Sequence, residues 1–326
     1  MPAYQQHLLR PHTYYGTGGS TAYFYAPASL AELQGALKAI AKSGLPAFIM
    51  GAGTNSLVMD EAWQGAVVSL ENMSQVVVAG TMIRAEAGAL NQQVVDAALT
   101  HSLSGLGWMH RLPGQLGATV RMNARCYGGE ISQVVRVIHS IDWQGNLFRY
   151  ENGPGETTVF RGYKDTIFMD NGQLIYAVEI ALERGEPQAI QEKMLACERD
   201  RESRQQFLHP SCGCVFKNNY APEVAVPSGL LLELAGVRGL SQGAAAVSPY
   251  HCNFVYNTGA ATSTDILTLS LAMRERVWSV FGVWLAYEME ILGSIPAELA
   301  AAINEQRAPQ YNHQRLAAAQ KQFVKK

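Results

Sequence analysis

Within nine residues, Pro210-Ser211-Cys212-Gly213-Cys214-Val215-Phe216-Lys217-Asn218, the chain sets a thiol, an ammonium and a carboxamide directly behind a helix-forming segment. A thiol with a reference pKa of about 8.5 is a stronger acid than an alcohol, which makes Cys214 a candidate proton donor and Lys217 and Asn218 candidate contacts to a polar ligand. A second concentration of chemistry is Gly51-Ala52-Gly53-Thr54-Asn55-Ser56, where a glycine-rich turn follows the apolar run 47–50. Backbone N–H groups in such a turn can approach an anion, although Gly-x-Gly alone also fits an ordinary turn. Glu288 and Glu290 stand in the apolar run 284–292, where an ionisable group needs a partner or a task. If that run is a strand, both point to one face, and register decides between them.

The elements around these residues follow from apolar spacing. Leu30, Leu33, Leu37 and Ile40 mark one face of a helix over 30–43, with Ser29 placed to cap it and Gly44 to stop it. Short strands are expected at 47–50, 66–70, 76–79, 82–87, 134–142 and 174–182, with a helix near 90–103. Without a regular βαβ rhythm this is an α+β body, so the glycine turn is no NAD fingerprint. A polar helix over 187–206 leads into the Cys214 turn. Helices over 228–235 and 266–281 flank a strand-like run at 251–257, and 284–292 reads as the last strand. The Ala- and Gln-rich tail from Pro296 has helical character.

Composition excludes several classes. A length of 326 residues suits two or three domains, each able to bury its own core. Five scattered cysteines argue for reduced thiols in a cytoplasmic protein, and Cys212-x-Cys214 lacks the second ligand pair that a metal site requires, so no metal is expected. A net charge of −2, with no basic block beyond Lys325-Lys326, provides no footprint for nucleic acid or anionic lipid. Residues 1–7 lack the pattern of a targeting segment and no window reaches ~18 uncharged apolar residues, so membrane insertion is not expected. Oligomeric state has no sequence signature here.

The run 201–219 resembles the Pro-Ser-x-Gly-Ser-x-Phe-Lys-Asn signature of the UDP-N-acetylenolpyruvoylglucosamine reductase (UDP-N-acetylmuramate dehydrogenase) family, with Cys214 where that family has its proton-donating serine. Further resemblances follow in the same order along the chain. Residues 51–58 are similar to the family's flavin-pyrophosphate loop, and 112–117 with 122–130 to its second flavin segment. Tyr163-Lys164-Asp165-Thr166-Ile167-Phe168 is similar to its Tyr-Arg-x-Ser-x-Phe, whose arginine is catalytic. Residues 281–293 resemble its C-terminal segment, where the first matching glutamate is Glu288.

This resemblance, to a divergent member of the compact subtype, implies an FAD-binding body of the PCMH or vanillyl-alcohol-oxidase-like type with a smaller C-terminal α+β substrate domain. The implied boundaries are 1–195 for the body, in subdomains of roughly 1–65 and 66–195, then 196–293 for the substrate domain and 294–326 for a helical extension. It also implies NADPH-dependent reduction, through bound FAD, of UDP-N-acetylglucosamine enolpyruvate to UDP-N-acetylmuramate in peptidoglycan precursor synthesis. In that scheme Gly51, Ala52, Gly53, Thr54, Asn55 and Ser56 hold the diphosphate, and Pro113, Gly114, Gly117 and Asn123 lie along the flavin. Cys214, Lys164 and Glu288 are catalytic; Tyr163, Lys217 and Asn218, with His251 and Asn257 behind them, contact substrate. Arg111, Ala118, Arg125 and Cys126 depart from the family's glycine-rich second segment, and Lys164 from its arginine; Arg161, three residues upstream, either reaches the same site or, as is commoner, is a solvated loop arginine. The competing expectations are a paralogue that binds FAD or a nucleotide-sugar with altered or lost reductase activity, and a related FAD oxidase or dehydrogenase with another small substrate.

Overall fold

Leu33, Ala36, Leu37 and Ile40 turn inward from helix α1 (Leu30–Ser43), which is capped by the Ser29 side chain accepting from the Glu32 N–H and ended by Gly44 at φ 68°. The computed structural model describes residues 3–153 and 159–324. It divides into two compact units. The first takes residues 3–7, Thr21–Ala52 and Gln64–Ser203; the second takes Leu8–Ser20, Gly53–Trp63 and the chain from Arg204 onward.

In the first unit, a four-stranded sheet runs in the order Tyr4–Leu8, Ser20–Tyr25, Trp63–Ser69, Ala47–Met50, the last two strands being parallel. A five-stranded antiparallel sheet runs Leu147–Glu151, Val135–Ile141, Leu174–Ala181, Met82–Glu86, Val76–Ala79. Helices α2 (Asn91–Thr100), α3 (Leu116–Arg121) and α4 (Pro187–Ser203) pack on this frame. One continuous apolar core links Leu37 and Val68 with Ile83, Trp108, Ile138, Val178 and Met194. Between the units the boundary falls at 203/204 rather than 195/196, because α4 runs without a break to Ser203 and buries Met194, Cys197 and Arg201 on one face.

The second unit is built on α5 (Ser228–Leu234) and α6 (Ser263–Phe281), with a three-stranded antiparallel meander, Ser241–Gln242, Ala245–Val247, Val255–Asn257. Its strand Ser56–Val58 pairs in parallel with Glu290–Leu292. Helix α6 begins at Ser263, three residues before the apolar periodicity, since Thr262 and Asp265 form a capping box there. The expected strands 251–257 and 284–292 are shorter, reduced to Val255–Asn257 and Glu290–Leu292. Their leading residues serve instead as single rungs beside the Cys214 turn, so the register argument between Glu288 and Glu290 lapses: Glu290 lies opposite Ser56 in the parallel pair, and Glu288 precedes the strand.

Helices α7 (Ala297–Asn304) and α8 (His313–Val324) close this unit. Leu316 and Ala319 of α8 are buried in its core. Trp284 lies between two guanidiniums, Arg274 at 3.9 Å and Arg307 at 4.1 Å from its ring, and its indole N–H donates to the Glu305 carbonyl at 2.8 Å. Arg274 also donates to the carbonyl of Ile303 at 3.0 Å, while Arg307 pairs with Glu275 and Glu305. Stacked cations over a partly desolvated indole are each worth ~1–2 kcal/mol. Trp284→Ala is therefore expected to lower unfolding free energy by about 2–4 kcal/mol, read as a drop in thermal midpoint; an unchanged midpoint would show that the extension is held elsewhere.

Candidate active site

The candidate residues fall into two sets, one in each unit. In the second unit, Val215 N–H donates to the Asn253 carbonyl at 2.8 Å, and the Val215 carbonyl accepts from Glu288 N–H at 2.8 Å and Met289 N–H at 3.2 Å. Lys217 N–H reaches the Ala286 carbonyl at 2.9 Å. The side chain of Asn253, 1% exposed, spans Phe216: Oδ1 accepts the Phe216 N–H at 3.0 Å and Nδ2 donates to the Phe216 carbonyl at 2.8 Å. The glycine loop enters the same ladder through Asn55, whose Nδ2 donates to the Glu288 carbonyl at 2.8 Å and whose carbonyl accepts the Glu290 N–H at 2.9 Å. Asn55, Val215, Lys217 and Glu288 thus belong to one hydrogen-bonded backbone network, with Cys214 next to Val215 in the turn.

The two thiols of the turn differ sharply. Cys212 is buried and donates to the Ser56 carbonyl at 3.0 Å, and burial pushes its pKa far up, so it is an inert wall. Cys214 is half-buried, and its backbone is bridged to Phe254. Asn218 is used structurally, its Oδ1 accepting the Ser228 N–H at 2.9 Å at the start of α5, and Asn257 donates to the Tyr15 carbonyl at 2.8 Å.

Gly53 sits at φ 63°, and a Cβ added there would stand 2.2 Å from the His12 carbonyl oxygen. That contact exposes a segment the motifs did not point to, residues 13–19. Tyr14 N–H donates to the Gly53 carbonyl at 3.2 Å, Gly18 N–H to Asp60 Oδ1 at 3.0 Å, and the buried Thr17 hydroxyl has no protein partner. The run Tyr15-Gly16-Thr17-Gly18-Gly19 was the available signal, since clustered small residues beside a hydroxyl suit a close backbone approach.

In the first unit, Pro113-Gly114 and the start of α3 are stitched to residues 87–91. The Gly114 carbonyl accepts from Asn91 N–H at 2.9 Å, and the N–H groups of Leu116 and Gly117 donate to the carbonyls of Ala89 at 2.8 Å and Ala87 at 2.9 Å. At Gly117 an added Cβ would lie 2.7 Å from the Ala87 Cβ. Gly51, followed by Ala52 at the end of this unit's segment, faces Ala118 and Gln115, each 3.4 Å from where its Cβ would be. Asn123, 1% exposed, donates from Nδ2 to Glu130 Oε1 and to the Gly162 carbonyl, both at 2.9 Å. Both of those partners are acceptors, which fixes the amide orientation and leaves a buried Oδ1 that no protein group satisfies.

Tyr163 and Lys164 form the tip of the hairpin between Phe160–Gly162 and Asp165–Thr166, with Lys164 at φ 54°. Arg161 does not stand in for the family's arginine: it is tied to Asp165 at 2.7 Å, Asp170 at 2.8 Å and the Thr166 carbonyl at 2.7 Å. Of the other departures, Ala118 lies exposed within α3, where a methyl has no backbone cost. Arg111 takes φ 59°, a strained geometry for a side-chain-bearing residue.

Gly53 and Gly117 pack against the protein's own atoms so closely that only hydrogen fits, while Asn123 Oδ1 in the first unit and Thr17 Oγ1 in the second are buried polar atoms that no protein group matches, as an atom reserved for a polar cofactor would be. Among the described residues no group of three or more His, Cys, Asp or Glu stands where it could hold a metal, and no helix is long and apolar enough to cross a membrane.

Fold and site together define an FAD-containing oxidoreductase. Residues 21–151 match a family model described as an FAD binding domain, and residues 205–292 one described as the C-terminal domain of UDP-N-acetylenolpyruvoylglucosamine reductase. The chain is 34% identical over 290 residues to the UDP-N-acetylenolpyruvoylglucosamine reductase of Caldanaerobacter subterraneus subsp. tengcongensis, covering 89% of this chain and 93% of the relative. It is 33% identical over 286 residues to that of Clostridium novyi, covering 88% and 91%. Among solved structures, the reductase from Thermus caldophilus superposes with a TM-score of 0.72 at 26% identity, over 89% of this chain and 99% of that one. The chain belongs to the UDP-N-acetylenolpyruvoylglucosamine reductase family. Its α+β fold carries the FAD-binding body that the resemblance implied.

Gly53→Ala, which forces a methyl against the His12 carbonyl at positive φ, is expected to lose about 2–4 kcal/mol of stability and most of the bound flavin. A variant that purifies with full flavin content would contradict the loop's role.

Proposed function

We propose that this protein reduces UDP-N-acetylglucosamine enolpyruvate to UDP-N-acetylmuramate with NADPH as electron donor, a cytoplasmic step in peptidoglycan precursor synthesis. Bound FAD supplies the hydride store that no side chain can provide. Gly51, Ala52, Gly53, Thr54, Asn55 and Ser56 would hold its diphosphate, and Pro113, Gly114, Gly117 and Asn123 its ring system. Family membership supports the reading, and the single observation that carries it for this chain is the ladder joining Asn55 to Glu288 and Glu288 to Val215, the residue after Cys214.

Reduction of the enol ether adds hydride to one carbon and a proton to its neighbour, with negative charge held between the two events on the substrate's carboxylate side. Cys214 Sγ–H is the proton donor. Lys164 would neutralise the developing charge, and Glu288, whose N–H and carbonyl are both hydrogen-bonded, would assist Cys214 in that proton transfer. Tyr163, Lys217 and Asn218 contact the uridine diphosphate sugar, Asn218 through its Nδ2, since its Oδ1 is committed to α5.

Cys214→Ala separates the two half-reactions. Flavin reduction by NADPH should stay within about twofold of the parent, while reoxidation by the enolpyruvyl sugar should slow by about 10²–10⁴-fold, with Cys214→Ser retaining most of the rate. Equal loss in both half-reactions, measured by anaerobic stopped flow, would remove Cys214 from the donor role.

A further inference from the structure

Two departures from the family pattern meet in space. Position 164 holds a lysine where the resemblance leads one to expect an arginine, and position 125 an arginine where it leads one to expect a glycine. Asn123 Nδ2 pins the Gly162 carbonyl at the base of the Tyr163-Lys164 hairpin and, from the same amide, Glu130 Oε1, both at 2.9 Å. Glu130 is the strand partner of Arg125, with Arg125 Nη1 3.9 Å from Glu130 Oε2. The Arg125 guanidinium lies over the Tyr163 ring, 5.2 Å from its centroid. Asn123, Gly162, Tyr163, Arg125 and Glu130 therefore close a ring, and Lys164 follows Tyr163 at the tip of the hairpin.

Arg125 keeps 44% of its side chain exposed. Arg161 is engaged by two aspartates and a carbonyl.

We propose that Arg125 binds the carboxylate of the enolpyruvyl substrate, supplying the planar, bidentate fork that Lys164 cannot, so that the single catalytic arginine of the family is here shared between two cations. This rests on the reductase reading above. A lysine ammonium is a point charge that neutralises an enolate; a guanidinium grips both carboxylate oxygens and fixes their plane. Tyr163 supports the flat face of that guanidinium, and Glu130 sets its approach. Because any L-residue bears the same left-handed cost at position 164, Lys164→Arg changes the head group alone.

The test uses the flavin-loaded protein as parent, Arg125→Gln, Lys164→Arg and the double variant. Two quantities are read: affinity for UDP-N-acetylmuramate, from its perturbation of the oxidised flavin spectrum, and the rate at which the enolpyruvyl sugar reoxidises NADPH-reduced flavin. Arg125→Gln is expected to weaken product binding and slow reoxidation by about 10- to 100-fold at unchanged flavin content, and Lys164→Arg to restore at least tenfold of that loss in the double variant. Should the glutamine variant not fold, Arg125→Lys, which keeps charge without the fork, is expected to lose about tenfold in both. Parent-like binding and reoxidation in Arg125→Gln would overturn the proposal, as would loss of flavin in place of product, which would place Arg125 on the cofactor. A flavin-loaded parent that the enolpyruvyl sugar fails to reoxidise would sink the reductase reading itself, and this assignment with it, before any variant is made.

Discussion

One buried carboxamide holds the 210–218 turn in shape. Asn253 accepts the Phe216 N–H and donates to the Phe216 carbonyl, reproducing with a side chain the pair of bonds that a neighbouring strand would supply. The turn cannot be a regular strand, because Cys214 must stay half-exposed while Cys212 two residues earlier is sealed against the Ser56 carbonyl. Without Asn253, the backbone of a fully buried Phe216 would lose both partners, and unsatisfied buried amides cost ~1–3 kcal/mol each. Everything else in the second unit's site hangs from this point: Val215 carries Glu288, Glu288 carries Asn55, and Asn55 belongs to the glycine loop.

The first unit repeats the device. Asn123 joins Glu130 to the Gly162 carbonyl and so ties the second flavin segment to the Tyr163-Lys164 hairpin. The family departures are absorbed around it by different means. Ala118 falls inside a helix, where its methyl is neutral; Arg111 takes a left-handed backbone at a cost of order 1–3 kcal/mol; Arg125 is bracketed by Tyr163 and Glu130.

What was legible in the sequence was local. Helix α1 announced itself through Ser29, the spacing of Leu33, Leu37 and Ile40, and Gly44, all within one stretch of chain. The Cys214 turn and the glycine loop were recognisable because their chemistry is contiguous. Non-local pairings were hidden. Nothing in residues 251–257 distinguished a strand from a turn whose third member, Asn253, spends its side chain on Phe216, thirty-seven positions away. Likewise 284–292 alternates well enough to be a strand, but only Glu290–Leu292 finds a partner, and that partner is the short segment Ser56–Val58 far upstream. The assignment of 8–20 and 53–63 to the second unit has the same cause, since it is made by contacts such as Gly18 to Asp60 and Asp60 to Ser263 that no periodicity encodes.

The central claim is that these departures leave a working reductase. Its most direct test is an absorbance spectrum of the purified protein, taken anaerobically before and after NADPH and then after UDP-N-acetylglucosamine enolpyruvate. Flavin bands that bleach with NADPH and return with the enolpyruvyl sugar are the predicted result. A protein that is colourless and takes up no added FAD, or whose reduced flavin the sugar leaves untouched, would contradict the account.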